Sequence, residues 1–403
     1  MNPAVSSLPR ARIFILELTI FVSMLGVGII VPFLPLYARE MGASAFVMGA
    51  IFSSFSLARG LTMPYVGALS DRRGRKVFII VGLLGYALLA LALIWAAAPW
   101  ELVLNRVLQG IFAAMVLPVS MALVADMTPE GREGAIFGGF NTYFLLGFAV
   151  GPLIGGATYD HLGLDANFFL MAGLSLLSMF MVLFLVKEPK QVKQASGKGG
   201  WAEQFGLLKD RPLLAVFLAR SLSAAGMGCF VAFLPVLAAE KSLSNTELGW
   251  LLAVNVLVMT GLQKPCGWLA DRWSRIGLSA MGLLLSGTCK GLLPLPHDFQ
   301  GLMILCVLEG VAAGFALPAL TALAVSHGRR LGAGMGVTMG SFGMAMSLGV
   351  SVGPMAAGLL ADWRGIDMVF YMAGSATIIG AACLFLPDKP TEPVGPPVER
   401  HLD

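Results

Sequence analysis

The sequence predicts an all-α polytopic membrane protein: twelve transmembrane helices in two pseudo-symmetric six-helix bundles. Three observations lead there. Apolar runs of spanning length recur along the whole chain. Of its 403 residues 57% are hydrophobic and only 12% charged, whereas soluble domains carry roughly 25% charged residues. The two halves of the sequence also repeat each other.

The apolar runs fall at 13–37, 46–69, 77–97, 100–124, 134–158, 168–186, 213–239, 247–270, 277–295, 301–325, 332–360 and 368–387. Each approaches the roughly 20 residues needed to cross a bilayer. Strand-like alternation is lacking, so the backbone has to be satisfied within helices. The first run, Ile13 to Tyr37 behind Arg10 and Arg12, is too long for the apolar core of a cleaved signal and reads as a span.

Basic residues set the expected orientation. Of the 27 Lys and Arg, three (Arg39, Lys241, Arg364) fall in loops on one side and five (Arg59, Arg106, Arg220, Lys264, Lys290) within spans. The other nineteen lie on the side of the termini, which is therefore expected to be cytoplasmic. The polar stretch 187–212 reads as a cytoplasmic linker. The expected organisation is an N-terminal bundle over 1–186, that linker, a C-terminal bundle over 213–387 and a tail over 388–403.

The repeat has a shift of 200 residues. Phe33-Leu34-Pro35 recurs as Phe233-Leu234-Pro235, and Gly67, Leu69, Asp71, Arg72 and Arg75 as Gly267, Leu269, Asp271, Arg272 and Arg275. Val107-Leu108, Gly110 and Leu117-Pro118 recur as Val307-Leu308, Gly310 and Leu317-Pro318. Around the fifth span the shift becomes 202, with Gly151-Pro152 and Gly156 matched by Gly353-Pro354 and Gly358. Six spans per half give both halves the same orientation, an arrangement suited to one cavity between them near the midplane.

The loop after span two reads Gly67-Ala-Leu69-Ser-Asp71-Arg72-Arg73-Gly74-Arg75-Lys76. Its glycines allow close helix contact and a tight turn, Asp71 suits the positive end of a neighbouring helix, and Arg75 can pair with Asp126. Span four carries Asn105-Arg106, Gln109-Gly110 and Ala113, with 106, 109, 110 and 113 on one face. In span five, Gly147, Gly151-Pro152 and Gly155-Gly156 combine a kink with small residues. Span one has Gly26, Gly28, Pro32 and Pro35.

Together these motifs resemble the major facilitator superfamily, over nearly the whole chain. The span-one and span-five patterns are similar to its twelve-span drug/proton antiporter-like branch. The resemblance implies a gate in which Asp71 meets the start of span eleven near Gly332, and proton coupling involving Arg106. The copy of the loop holding Asp271 and Arg272 departs from the pattern, with Ser274 in place of glycine and Ile276 in place of the last basic residue.

Seven ionisable residues fall within spans: Glu17, Arg59, Arg106, Arg220, Lys264, Lys290 and Glu309. Intramembrane charge faces a cavity or a partner by default. Arg59 lies about 15 Å from the inner face at 1.5 Å per residue, so it is expected in the cavity. Glu309 occupies the repeat position of Gln109, and Cys306 that of Arg106. Glu309 is therefore expected to carry protons, with Arg106 facing and tuning it and Glu17 as the second candidate. Lys264 and Lys290, near span ends, are expected to snorkel. Met24, Arg59, Gln109, Asn141, Phe144, Phe230 and Asn255 complete the expected cavity lining.

The expected function is alternating-access secondary transport, with proton-coupled export (antiport) of small organic or drug-like molecules across the inner membrane. Two alternatives stand beside it. Span one lacks the acid that several multidrug members carry, and the membrane tally leans basic, which leaves uptake or exchange of an anionic metabolite such as a carboxylate. A non-transporting sensor or scaffold is the other. The four His (161, 297, 327, 401) fall in loops or the tail, and Gly197-Lys198-Gly199-Gly200 lacks P-loop spacing. No enzyme, cofactor, metal or nucleic-acid role is expected. The expected partners are a small-molecule substrate, protons and the bilayer around a monomer.

Overall fold

The computed structural model describes residues 3–127, 133–186, 207, 209–332 and 335–386, apart from the side chains of 3–12, 133–135, 137, 271, 335 and 336. The expected tail, most of the expected linker and the Asp271 side chain lie outside the described residues.

Twelve membrane helices follow one another, with no strand among the described residues. Span one comprises the helix Pro3–Ile30, a 3-10 turn Val31–Phe33 and the helix Leu34–Glu40. Spans two to six are Ala45–Arg73, Arg75–Ala92, Pro99–Met127, Glu133–Leu162 and Leu164–Leu185. Spans seven to twelve are Arg211–Glu240, Asn245–Arg272, Arg275–Leu292, Phe299–Arg330, Met335–Arg364 and Asp367–Cys383. Ten of these are long and apolar enough to cross a membrane by themselves, the third together with its 3-10 extension Leu93–Trp95; spans nine and twelve, of 18 and 17 residues, are not among the ten.

Local chemistry explains the punctuation. Pro32 and Pro35 interrupt the backbone ladder of span one where the 3-10 turn falls. Ser44 caps span two through the Val47 N–H, and Ser244 caps span eight in a reciprocal box with Glu247. Gly74, at φ +97°, makes the turn between spans two and three. Its counterpart Ser274 adopts φ −59° instead and caps span nine by accepting from the Gly277 N–H. The replaced glycine of the second loop thus serves a helix start. Gly332, at φ +69°, closes the turn after span ten, and the described part of span eleven begins three residues on, at Met335.

Packing repeats between the halves. Span one lies against five and six, two against four, and three against four and six. Seven lies against eleven and twelve, eight against ten, and nine against ten and twelve. The halves meet along two seams, span two on eleven and span five on eight. Lipid supplies no hydrophobic drive between helices, so they associate by close backbone approach through small residues. Gly49 meets the Pro354 carbonyl and Gly249 the Pro152 carbonyl; Gly156 meets Asn245 and Gly358 meets Ala45. Each contact has its counterpart at a shift of 200 or 202.

Both seams are tight at one end of the bundle, that of the turns 40–45 and 240–245. Asp362, at the end of span eleven, accepts from the Ala45 and Phe46 N–H groups at 2.7 and 3.0 Å. Asp160, at the end of span five, accepts from the Asn245 and Thr246 N–H groups at 3.2 and 2.8 Å, and from both their side chains. Arg39 pairs with Glu240 at 3.1 Å and Tyr159 donates to Glu40. At the other end, where spans two and three join at Gly74, the seams diverge around a vestibule of about 860 Å³.

Candidate functional site

A central cavity of about 80 Å³ lies between Pro32, Phe148 and Pro152 of the first half and spans seven to ten of the second. Its wall is mostly apolar, and its charged groups are Arg220, Lys290 and Glu309. Lys290 Nζ donates to Glu309 Oε1 at 2.6 Å, and the two residues are 2% and 7% exposed. Ser286 Oγ donates to the same carboxylate oxygen at 3.1 Å and also receives a hydrogen bond from Lys290. Asn255 donates to Glu309 Oε2 and to the Cys306 carbonyl. Every carboxylate oxygen is therefore occupied, as a buried charge requires.

Lys290 overturns an expectation. It sits two residues from the end of span nine, yet it points into the protein and does not snorkel to the membrane surface. Ser279, Leu283, Ser286 and Lys290 form the buried face of this helix. Linear distance from a helix end gives depth, whereas the helical phase decides which way a side chain points. The Ser286–Lys290 spacing of four residues was the available signal. Lys290, not Arg106, is the cation that contacts Glu309.

Arg106 belongs to a second cluster. Its guanidinium donates to Gln109 Oε1 at 2.6 Å and stacks on Phe55, 4.3 Å from the ring centroid; Arg59 lies over the same ring at 5.8 Å. Arg106 and Gln109 are 4% and 1% exposed, and Arg106 Nε and Gln109 Nε2 have no hydrogen-bond partner among the described residues. Neither Arg59, Arg106 nor Gln109 is on the wall of the central cavity or the vestibule, contrary to expectation. The repeat explains the placement. Phe55, Tyr86, Arg106 and Gln109 occupy the positions of Asn255, Ser286, Cys306 and Glu309, and Ala90 that of Lys290. Each half builds its own polar cluster at equivalent positions, so Arg106 and Glu309 meet local partners and not each other.

The remaining expected lining residues divide. Phe230 and Asn255 are on the central wall, and Asn141 and Phe144 on the vestibule wall. Asn141 donates to Gln263 across the span five–eight seam at 3.3 Å. Met24 is buried against Gly147 of span five and lines neither space. Glu17 is half-buried and stands beside Gly139 of span five. Arg220, Ser223, Met227 and Met259 also line the central cavity, outside the expected set. Of these only Arg220 carried a signal, as an intramembrane charge.

In the loop after span two, Arg75 is clasped between Asp71 and Asp126, at 3.1 Å from each. Arg72 is exposed, and a Cβ on Gly67 would meet nothing within 4 Å. The close helix contact expected there is not made among the described residues. Residues 333 and 334, before span eleven, lie outside the described set. Arg272 stacks on Trp268 at 3.9 Å. In span five, Gly151 and Gly155 pack on span one at Gly28 and Ile29, while Pro152 and Gly156 meet span eight. The motif thus serves two contacts at once.

Twelve membrane helices in two like halves, meeting around a charged cavity that opens at one end, define a membrane transporter for small molecules. The profile of the Major Facilitator Superfamily matches residues 16–221 and 216–401, and the chain belongs to that superfamily. It is 28% identical over 380 residues to the uncharacterized MFS-type transporter MJ1560 of Methanocaldococcus jannaschii, covering 91% of this chain and 96% of that protein. It is 24% identical over 382 residues to the quinolone resistance protein NorA of Staphylococcus aureus, covering 93% and 96%. Among solved structures, a point mutant of the nucleoside transporter NupG superposes with a TM-score of 0.79 at 13% identity, covering 92% of this chain and 98% of that one. At that identity the likeness concerns the fold.

Proposed function

We propose that this chain is an alternating-access secondary transporter that exports small organic, drug-like molecules in exchange for entering protons across the plasma membrane. Both termini are cytoplasmic in this reading, and the monomer is the working unit. The vestibule then faces the cytoplasm, so the structure corresponds to an inward-open state.

The observation that carries the proposal is the Lys290–Glu309 pair on the wall of the central cavity. Glu309 is the carboxylate on that wall and the proton site. Protonation removes the charge that holds Lys290, and in a poorly solvated interior the loss of a pair is a large local change. Other titratable groups within electrostatic reach are Cys289 and Cys306, and Cys229 faces Lys290. Lys290 takes the tuning role first expected of Arg106; Glu17, beside span five, is a second proton candidate. The likeness to a quinolone resistance protein supports export, and nineteen basic residues on the terminal side support the orientation.

Reconstitution tests this directly. Proteoliposomes loaded with a pH-sensitive dye are given a proton gradient and a fluorescent quinolone. Quinolone movement opposite to proton movement is expected, and Glu309→Gln should remove the pH dependence. Quinolone flux with wild-type pH dependence in Glu309→Gln would falsify the assignment.

A further inference from the structure

The central cavity and the vestibule share four wall residues, Arg220, Met227, Met259 and Leu317. Arg220 therefore stands at the neck between them. Lys290 and Glu309 neutralise each other, which leaves Arg220 as the net charge of the central cavity. Its guanidinium touches the Met346 sulfur at 2.9 Å and lies 5.1 Å over Phe342, and its buried Nε has no hydrogen-bond partner among the described residues. No carboxylate lies within ion-pair distance of it among the described residues. Arg220 is half-buried, and a guanidinium at membrane depth without a counter-charge is costly.

The vestibule adds Arg329 to Arg220 on a wall that, among the described residues, carries no carboxylate. A cleft lined by one sign of charge concentrates ions of the other sign.

We propose that the cavity takes organic anions, with Arg220 as the residue that selects the anionic group. The substrate class is a carboxylate, or an anion of similar shape, on an apolar aromatic body. The guanidinium fork matches a carboxylate in two parallel hydrogen bonds. Met227, Phe230, Met259 and Leu252 offer the body an adaptable apolar surface, and Arg329 at the mouth draws the anion inward. This differs from an anion site at Arg59 and Arg106, which line neither space. The inference rests on the reading of this cavity as the substrate's path.

Calorimetry on the full chain in nanodiscs, with 2-naphthoate, 2-naphthamide and 2-naphthylmethylamine as probes, tests it. In the wild type, naphthoate is expected to bind at least ten-fold tighter than either analogue. Arg220→Gln should bring naphthoate down to the amide's affinity without altering the amide's, and Arg220→Lys should keep part of the preference. A structural role alone would weaken all three probes together. Equal or tighter binding of the amide or amine, no binding of naphthoate, or an unchanged preference in Arg220→Gln overturns the proposal. The wild-type comparison decides the matter even if the variants do not fold. An anion preference that survives while transport proves independent of protons would remove the proton-exchange reading and leave the anion site standing.

Discussion

Asp160 and Asp362 hold the same post in opposite halves: each sits at the end of one helix and caps the first free N–H groups of a helix in the other half. Their sequence separation, 202 residues, is the shift at which spans five and eleven repeat. Each carboxylate meets the positive end of a helix dipole and satisfies donors that otherwise lack partners. The halves are thus latched twice at the closed end.

The latches predict how the resting conformation responds to neutralisation. Losing an N-cap costs about 1 kcal/mol, so removing both shifts the equilibrium between closed and open by about thirty-fold. Asp160→Ala/Asp362→Ala is expected to lengthen the distance between spin labels at Trp95 and Leu295, two exposed residues on that face. An unaltered distance distribution would mean that the caps do not hold the seam.

Sterics predict the same shift by an independent route. A Cβ at Gly49 would overlap the Pro354 carbonyl, whereas one at Gly67 would meet nothing within 4 Å. Gly49→Ala should therefore open the closed end in the same spin-label measurement, and Gly67→Ala should not. Equal effects of the two would show that this seam is not a tight backbone contact.

The Lys290–Glu309 pair predicts non-additive stability. Removing one partner leaves a buried charge and costs about 3–5 kcal/mol, whereas replacing both with apolar residues costs far less. Lys290→Met and Glu309→Leu should each lower the unfolding temperature in detergent, and the double variant should recover most of the loss. Additive losses would mean that the two groups are not held as a unit.

Orientation is open to direct measurement. A cysteine placed at Arg73, exposed in the loop at the open end, should react with a membrane-impermeant maleimide only from the cytoplasmic face. One placed at Trp363, 73% exposed near the closed end, should react only from outside. The five native cysteines are buried or half-buried, which keeps the background low. Labelling with the opposite sidedness would reverse the direction of transport.

The fold was legible because it rests on periodic features. Runs of apolar residues mark the helices, and the repeat marks the two halves. Even the seams were foreshadowed, since the glycines and prolines that make them recur at shifts of 200 and 202. Glu309 was also legible, as a charge in a place where charge is expensive. Its partner was not. Lys290 looks like an interfacial residue when counted from the helix end, and Arg106 looks like the cation facing Glu309 because the repeat sets spans four and ten on facing sides of one cavity.

By itself the sequence determined the number of helices, their pairing into halves and the identity of the charges placed within the membrane, because hydrophobic length and internal repetition are properties of the chain alone. Only the tertiary structure decided which charges meet, which arginine stands in the neck and which end of the bundle is closed. Those outcomes depend on helical phase and on close approach between distant helices, and neither is fixed by distance along the chain.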